Sequence, residues 1–183
     1  IPNNPRRHQK VKLTIKDQTE HFDRIGLDLG YAYKKGAIIV NPSAKIPEQT
    51  VSEYQPSIEP GVRFPHFWVF DQGKKISSHQ WLQADKFTLL CNDEGETWWL
   101  KYAEKLPPPV HSILQLINVT TLLNKQADTA LEKTFYRIKK VPLLLIRPDG
   151  QIAWRPENLE IDLKSVFKQL LFLQLFMLHL NLY

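Results

Sequence analysis

Cys91 is the residue in this chain with the clearest potential for chemistry. It is the only cysteine, and it ends the apolar run Phe87 to Cys91 directly before the polar cluster Asn92-Asp93-Glu94. The run predicts a buried strand, and the cluster predicts the start of a helix. Because amide dipoles at the amino end of a helix stabilise a thiolate, this position is expected to lower the pKa of the thiol. The pattern therefore permits thiol chemistry at Cys91.

An inert cysteine explains the same pattern better. A chain with one cysteine can form neither an intrachain disulfide nor a cysteine-based zinc site, and buried cysteines usually behave as small apolar residues. A lone thiol also favours a reducing compartment, so we expect a cytoplasmic protein. Cys91 is retained only as an alternative catalytic residue.

The spacing of the remaining residues supports no other chemical site. None of the histidines has metal-ligand spacing to another histidine or to the cysteine, and His66 is expected to hydrogen-bond a backbone carbonyl in the core. The sequence contains no Gly-x-Gly-x-x-Gly cluster, phosphate loop or Gly-x-Ser-x-Gly elbow. We therefore predict no metal-binding or cofactor-binding residue in this chain. The scattered histidines are His8, His21, His66, His79, His111 and His179.

Composition places the chain among ordinary globular proteins. Hydrophobic residues make up 43% and charged residues 23%, which excludes a wholly disordered chain. The net charge of +5 is expected to form a solvated basic surface rather than a nucleic-acid site. The apolar stretch Gln169 to Tyr183 is shorter than the ~20 residues of a membrane-spanning helix, and the polar opening Ile1 to Gln9 is unlike a secretory signal. We expect neither a nucleic-acid nor a membrane partner.

The first 59 residues give weak signals of secondary structure. Val11, Leu13 and Ile15 alternate with polar residues and predict a strand. Residues 25–41 predict a strand hairpin around the turn Lys34-Lys35-Gly36. Residues 42–59, which include three prolines, predict a linker.

The pattern from residue 60 onward predicts strands that alternate with helices. Such an order implies a mixed sheet covered on both faces. The predicted strands are Phe67–Phe70, Lys75–Ser78, Phe87–Cys91, Ile113–Val119, Val141–Ile146 and Gln151–Trp154, the last two joined by a turn at Asp149-Gly150. The predicted helices are Asp93 to Leu106, which stops at Pro107-Pro108-Pro109, then Asp128–Tyr136 and Leu159–Leu180.

Three segments in this order resemble the end of the FAD-dependent aromatic-ring hydroxylases, the family of phenol hydroxylase and para-hydroxybenzoate hydroxylase. They are LDLGYAYKKGAIIV at Leu27–Val40, PGVRFPH at Pro60–His66 and RPDGQIAWR at Arg147–Arg155. The resemblance implies an α/β, thioredoxin-like mixed sheet with flanking helices. It also implies that residues 1–41 are a remnant of the catalytic half, 42–59 a linker, 60–175 the thioredoxin-like domain and 176–183 an apolar tail.

Most residues of these motifs have structural explanations. Asp149-Gly150 supplies a tight turn, and Arg147 and Arg155, which flank it, are expected to pair with carboxylates. Val141-Pro142 resembles the cis-proline position of thioredoxin-like folds, and both the cis and the trans bond remain open.

The resemblance implies a role without catalysis in this chain. FAD and NAD(P)H belong to an intact parent enzyme, and the partner would be its flavin-binding half or a second copy of the chain. The predicted function is thus a structural and oligomerisation domain of a flavin-dependent monooxygenase. One alternative is a thiol-redox protein, since Thr88 to Cys91 is similar to the Thr-x-x-Cys of peroxiredoxins. Another is a stand-alone interaction module that docks a partner through its apolar tail.

Overall fold

The computed structural model describes residues 4–71, 73–122, 137–138, 140–162 and 164–170. The chain divides into two compact units. Unit 1 comprises Ile1–Tyr31 and Pro47–Gln55, and unit 2 comprises Ala32–Ile46 and Pro56–Tyr183. None of the helices within the described residues is long and apolar enough to cross a membrane.

Unit 1 is built from two helices, α1 (Pro5–Phe22) and α2 (Ile25–Leu29). The side chain of Asn4 accepts hydrogen bonds from the backbone amides of Arg6 and Arg7, at 3.1 and 3.4 Å, and so caps α1. The amides of Gly26 and Leu27 both donate to the carbonyl of Val51, at 3.0 and 3.1 Å. These bonds tie α2 to the second segment of the unit.

Both strand predictions in the first 41 residues are wrong. The predicted strand at Val11–Ile15 lies inside α1. Residues 6–22 contain no glycine or proline and follow a capping Asn4, which favours a helix, and five alternating residues are too few to decide the period. The predicted hairpin over 25–41 begins instead with α2. The two halves of the predicted hairpin do not pair with each other. Instead, the amides of Tyr33 and Ile39 donate to the carbonyls of Gly61 and Ala153, both at 2.8 Å.

Unit 2 contains two sheets. Strands β1 (Trp68–Asp71) and β2 (Lys74–Ser77) form an antiparallel hairpin. The second sheet has the order β4-β3-β5-β6, where β3 is parallel to β4 and antiparallel to β5, and β5 is antiparallel to β6. The predicted mixed sheet is confirmed. These four strands are Phe87–Cys91 (β3), Leu114–Asn118 (β4), Leu143–Ile146 (β5) and Ile152–Trp154 (β6).

Short helices connect these strands. They are a 3-10 helix at Ser78–Trp81, α3 (Asp93–Ala103), α4 (Pro108–Ser112), α5 (Val119–Leu122) and a helical stretch at residues 164–170. The side chain of Asn92 caps α3 by accepting from the amide of Gly95 at 2.8 Å, as the sequence predicts. Helix α3 ends at Ala103, short of the predicted Leu106, and the prolines that follow begin α4, because proline fits the first turn of a helix.

Two of the predicted helices extend beyond the described residues. Asp128–Tyr136 lies outside them altogether. For the prediction Leu159–Leu180, residues 164–170 are helical, whereas residues 171–183, which include the apolar tail, lie outside the described residues.

The four-stranded sheet is buried on both faces, as predicted. Leu89, Cys91, Leu143 and Leu145 face Trp99 and the helical residues around Phe167. The other face packs against apolar residues that lead into β1, and its members include Leu90, Leu144, Ile146, Ile152, Phe64 and Phe67. The described residues contain no cis peptide bond, so Val141–Pro142 is trans.

Candidate functional site

The two motif segments of unit 2 lie side by side. The segment Pro60–His66 runs along the outer edge of β6, which belongs to the segment Arg147–Arg155. The amide of Gly61 donates to Ile152 at 2.8 Å, the amide of Ile152 donates to Val62 at 2.9 Å, and the amide of Phe64 donates to Gly150 at 2.8 Å. We refer to residues 60–66 and 147–155 together as the motif junction. It extends the mixed sheet by one short antiparallel segment.

A buried ion pair holds one end of the motif junction. Arg155 Nη2 lies 2.6 Å from Glu59 Oε2, and Glu59 is 6% exposed. Asn41 Nδ2 donates to the carbonyl of Arg155 at 2.9 Å. A buried carboxylate without its partner would be strongly destabilising, so Arg155 is committed to the fold rather than to a ligand.

A second arginine stabilises the turn at the other end. Arg147 Nε donates to Asp149 Oδ1 at 3.1 Å, and the two side chains form a second bond through Nη2 and Oδ2. Gly150 has a φ of +81° and donates its amide to the carbonyl of Arg147 at 2.9 Å. The predicted pairing of both arginines with carboxylates is therefore confirmed.

Cys91 ends β3 immediately before α3, where the sequence places it, but its environment does not activate it. The residue is 1% exposed, and Sγ lies 3.6 Å from the carbonyl oxygen of Ile117. Burial, together with the carboxylates of Glu96 and Asp93, raises the pKa of the thiol to about 12. The direction is opposite to the lowering expected at the amino end of a helix, because desolvation opposes the charged form.

The carboxylates beside Cys91 have partners of their own. Asn118 Nδ2 donates to Asp93 Oδ1 at 2.9 Å and to Glu96 Oε2 at 2.7 Å. The side-chain amide thus links the end of β4 to the first turn of α3. This network favours a structural function for the end of β3.

Two histidines meet outside the core, and the prediction for His66 is wrong. His66 is exposed and lies edge-on to Trp68, with ring centroids 4.9 Å apart. Alternation along the extended chain points 66, 68 and 70 outward. His79 Nε2 instead lies 2.8 Å from the carbonyl oxygen of Phe64. Desolvation, with smaller effects of Arg63 and His66, lowers the pKa of His79 and outweighs the opposing effect of the Phe64 bond.

No specific signal in the sequence points to His79, because its partner carbonyl lies fifteen residues away along the chain. The part of the chain that the structure describes contains no group of three or more histidine, cysteine or acidic side chains that could hold a metal ion.

Comparison with known protein families identifies the family to which the chain belongs. The family described as "Aromatic-ring hydroxylase, C-terminal" matches residues 57–171, more than half of the 183 residues. The chain belongs to this family. The matched region includes both segments of the motif junction, so the resemblance that those segments carry is confirmed.

The curated relatives of this hydroxylase C-terminal domain are much longer proteins. Phenol 2-monooxygenase of Pseudomonas sp. (strain EST1001) is 24% identical over 169 residues, which cover 88% of this chain and 27% of the relative. Tetracenomycin A2 monooxygenase-dioxygenase of Streptomyces glaucescens is 30% identical over 149 residues, covering 78% of this chain and 25% of the relative. The chain thus spans about a quarter of the length of these relatives.

Solved structures show the same fold. The flavin-dependent monooxygenase PieE, in complex with FAD and substrate, aligns with a TM-score of 0.67 at 20% identity, over 93% of this chain and 30% of the PieE chain. The rebeccamycin biosynthetic enzyme RebC with reduced flavin aligns with a TM-score of 0.58 at 21% identity, over 92% of this chain and 29% of the other. The predicted fold class is confirmed by these alignments.

Proposed function

We propose that this chain is the structural and oligomerisation domain of a flavin-dependent aromatic-ring monooxygenase, with no catalytic residue of its own. The observation that carries the proposal is the motif junction. Its two arginines are engaged in ion pairs: Arg155 pairs with Glu59, which directly precedes the junction, and Arg147 pairs with Asp149. Because the charged side chains of the family motifs are held in ion pairs within the chain, they stabilise the fold, and catalysis takes place in the rest of an intact parent enzyme.

The described residues do not fit a flavin or nicotinamide dinucleotide. Such a cofactor needs a glycine-rich turn between a strand and a helix, with its phosphates at the amino end of that helix. Among the described strand-to-helix steps, β4 to α5 contains no glycine, and β3 to α3 carries Asp93, Glu94 and Glu96 in the first turn of its helix. Three carboxylates would repel a pyrophosphate. In our proposal FAD and NAD(P)H are therefore held by the flavin-binding half, which is the partner of this chain.

The thiol-redox alternative is weakened by the position of Cys91. A redox thiol is accessible and has a low pKa, whereas Cys91 is buried and its pKa is raised to about 12. We accordingly propose an inert thiol in a reducing, cytoplasmic setting.

Flavin and thiol titrations of the purified chain test the proposal. FAD is added while its visible absorbance and fluorescence are followed, and the thiol is titrated with Ellman's reagent at neutral pH, with and without urea. We expect no change in the flavin spectrum and a thiol that reacts slowly when folded and rapidly in urea, with Cys91→Ala as the blank. Stoichiometric flavin binding, or a fast folded thiol, would overturn the non-catalytic role.

A further inference from the structure

Helix α1 presents apolar side chains to solvent along one face. Val11, Ile15 and Phe22 are 50%, 64% and 86% exposed, and their spacing of four and seven residues places them on the same side of the helix. Thr14 and Gln18 lie between them, and a groove of about 560 Å³ is lined by Thr14, Ile15, Gln18, Phe22 and Asp23. We call Val11, Thr14, Ile15, Gln18 and Phe22 the α1 stripe. Because most helical stability comes from packing an apolar face, this stripe favours a covering surface.

The charges of α1 are arranged against its own dipole. Arg6, Arg7, Lys10 and Lys12 are exposed in the amino-terminal half, and the first turn contains no acidic residue. At the carboxyl end, His21 lies in the last turn, and the exposed carboxylate Asp23 follows the helix. Helix dipoles favour the opposite arrangement, with acids first and bases last. A neighbouring helix of the same sequence in the opposite direction would bring a basic residue of one copy beside Asp23 of the other.

We propose that the α1 stripe is a contact surface for a second copy of this chain, with the two α1 helices antiparallel. A register centred between Ile15 and Gln18 places Val11 opposite Phe22 of the second copy. It places Lys10 of each helix opposite Asp23 of the other, whereas a parallel pair would oppose base with base. The inference rests on the oligomerisation part of the proposed function and assigns it a surface.

The size of the contact sets its strength. Eighteen helical residues span about 27 Å, and a stripe of this length is smaller than the ~800 Å² per partner of a standard stable interface. The association is thus expected to be weak, to fall apart on dilution and to weaken with salt, since exposed charges are screened.

Sedimentation velocity of the full chain across a concentration series tests the surface. We expect a reversible dimer, which Phe22→Glu weakens at least about tenfold. Leu13→Glu is the matched control, because Leu13 is 57% exposed on the opposite side of the same helix and undergoes the same change of charge. We expect it to leave the dimer intact, and circular dichroism checks the helix content of both variants.

A charge exchange tests the antiparallel arrangement without removing an apolar residue. In the antiparallel register Lys10 of one copy lies opposite Asp23 of the other, so Lys10→Glu places two acids opposite each other and Asp23→Lys places two bases opposite each other. Each variant alone should be monomeric, and a mixture of the two should form a heterodimer. A mixture that stays monomeric would overturn the antiparallel pair.

The remaining outcomes separate the surface from the broader function. A wild-type chain that stays monomeric at every concentration overturns both the α1 contact and the oligomerisation role. A wild-type dimer that Phe22→Glu and Leu13→Glu affect equally overturns the α1 stripe alone. Flavin titration reports on the non-catalytic role independently of either result.

Discussion

The four-stranded sheet and helix α1 use the same apolar residue types in opposite ways. Leu89, Leu145 and Ile146 are at most 1% exposed in the sheet, whereas Val11 and Ile15 are at least half exposed in α1. The apolar residues of the sheet are buried within unit 2, where two hydrophobic clusters cover the two faces of the sheet. Helix α1 leaves its own apolar residues exposed, and in our proposal a second copy of the chain covers them. The difference teaches that this domain stabilises itself through the sheet and acts, in our proposal, through its surfaces.

Charged residues repeat the contrast. In unit 2, Arg155 is paired with a buried carboxylate and Arg147 with the carboxylate of its own turn. In unit 1, Arg6 and Arg7 are exposed at the positive end of a helix, where a cation is unfavourable. The ion pairs of unit 2 stabilise the fold, whereas in our proposal the basic residues of α1 contact a second copy of the chain.

Truncation of a sheet residue should have the largest effect on stability. Leu145→Ala removes a side chain with no exposure at the centre of the sheet, so the free energy of unfolding should fall by about 2–5 kcal/mol. Leu13→Ala, the matched leucine on α1, should change it by no more than about 0.5 kcal/mol. Urea unfolding followed by circular dichroism measures both. Equal losses would remove the contrast between the two regions.

Loss of the buried ion pair should come next. Arg155→Met leaves Glu59 buried without a partner and should lower the free energy of unfolding by about 3 kcal/mol. The control is Arg147→Met, because its pair with Asp149 is more exposed and should contribute about 1 kcal/mol or less. Adding Glu59→Leu to Arg155→Met should recover part of the loss. A double variant as unstable as the single one would contradict the assignment.

Alanine substitutions at two glycines with similar backbone angles distinguish the cost of a steric clash from the cost of backbone strain. Gly61 and Gly73 have φ values of +97° and +78°. A Cβ at Gly61 would lie 2.1 Å from the carbonyl oxygen of Tyr33, and one at Gly73 would meet no atom within 4 Å. Gly73→Ala should therefore cost about 1–2 kcal/mol from strain alone, and Gly61→Ala clearly more. Similar thermal midpoints for the two variants would show that the motif junction tolerates displacement of Tyr33.

The thiol of Cys91 should give the smallest effect, and it depends on pH. Its pKa is raised from 9.0 to about 12 on folding, so the unfolded chain loses its proton first. The stability contributed by the protonated thiol is complete below about pH 9 and is lost as the pH rises toward 12. One unit above the unfolded pKa, the wild type should lose about 1 kcal/mol more than Cys91→Ala. Parallel pH profiles of the two proteins would show that the thiol is not desolvated.

The sheet was predictable because its signals are local and strong. Phe87–Cys91 and Val141–Ile146 are continuous apolar runs, and the dipeptide Asp149-Gly150 strongly favours a tight turn. The order of these segments carries the family resemblance as well. Residues 32–41 were mispredicted because their backbone bonds go to Gly61 and Ala153, and such distant partners leave no trace in a local pattern.

Helix α1 and Cys91 show two further limits of the sequence. Val11, Leu13 and Ile15 fit a strand, whereas Val11, Ile15 and Phe22 fit a helix, so the decision needs a longer window than the one that suggested the strand. The place of Cys91 at the end of a strand was predicted, but the direction of its pKa shift depends on the depth of burial. The adjacent acids Asp93 and Glu96 were the signal that pointed the correct way.

Hydrogen exchange of the full chain at low and high protein concentration tests the contrast between sheet and helix most directly. Mass spectrometry of peptides would follow the backbone amides of α1 and of β3 and β5. We predict that the sheet amides are protected at both concentrations and that α1 is protected only at the higher one, because a second copy then covers its stripe. Protection of α1 that does not change with concentration would contradict the account.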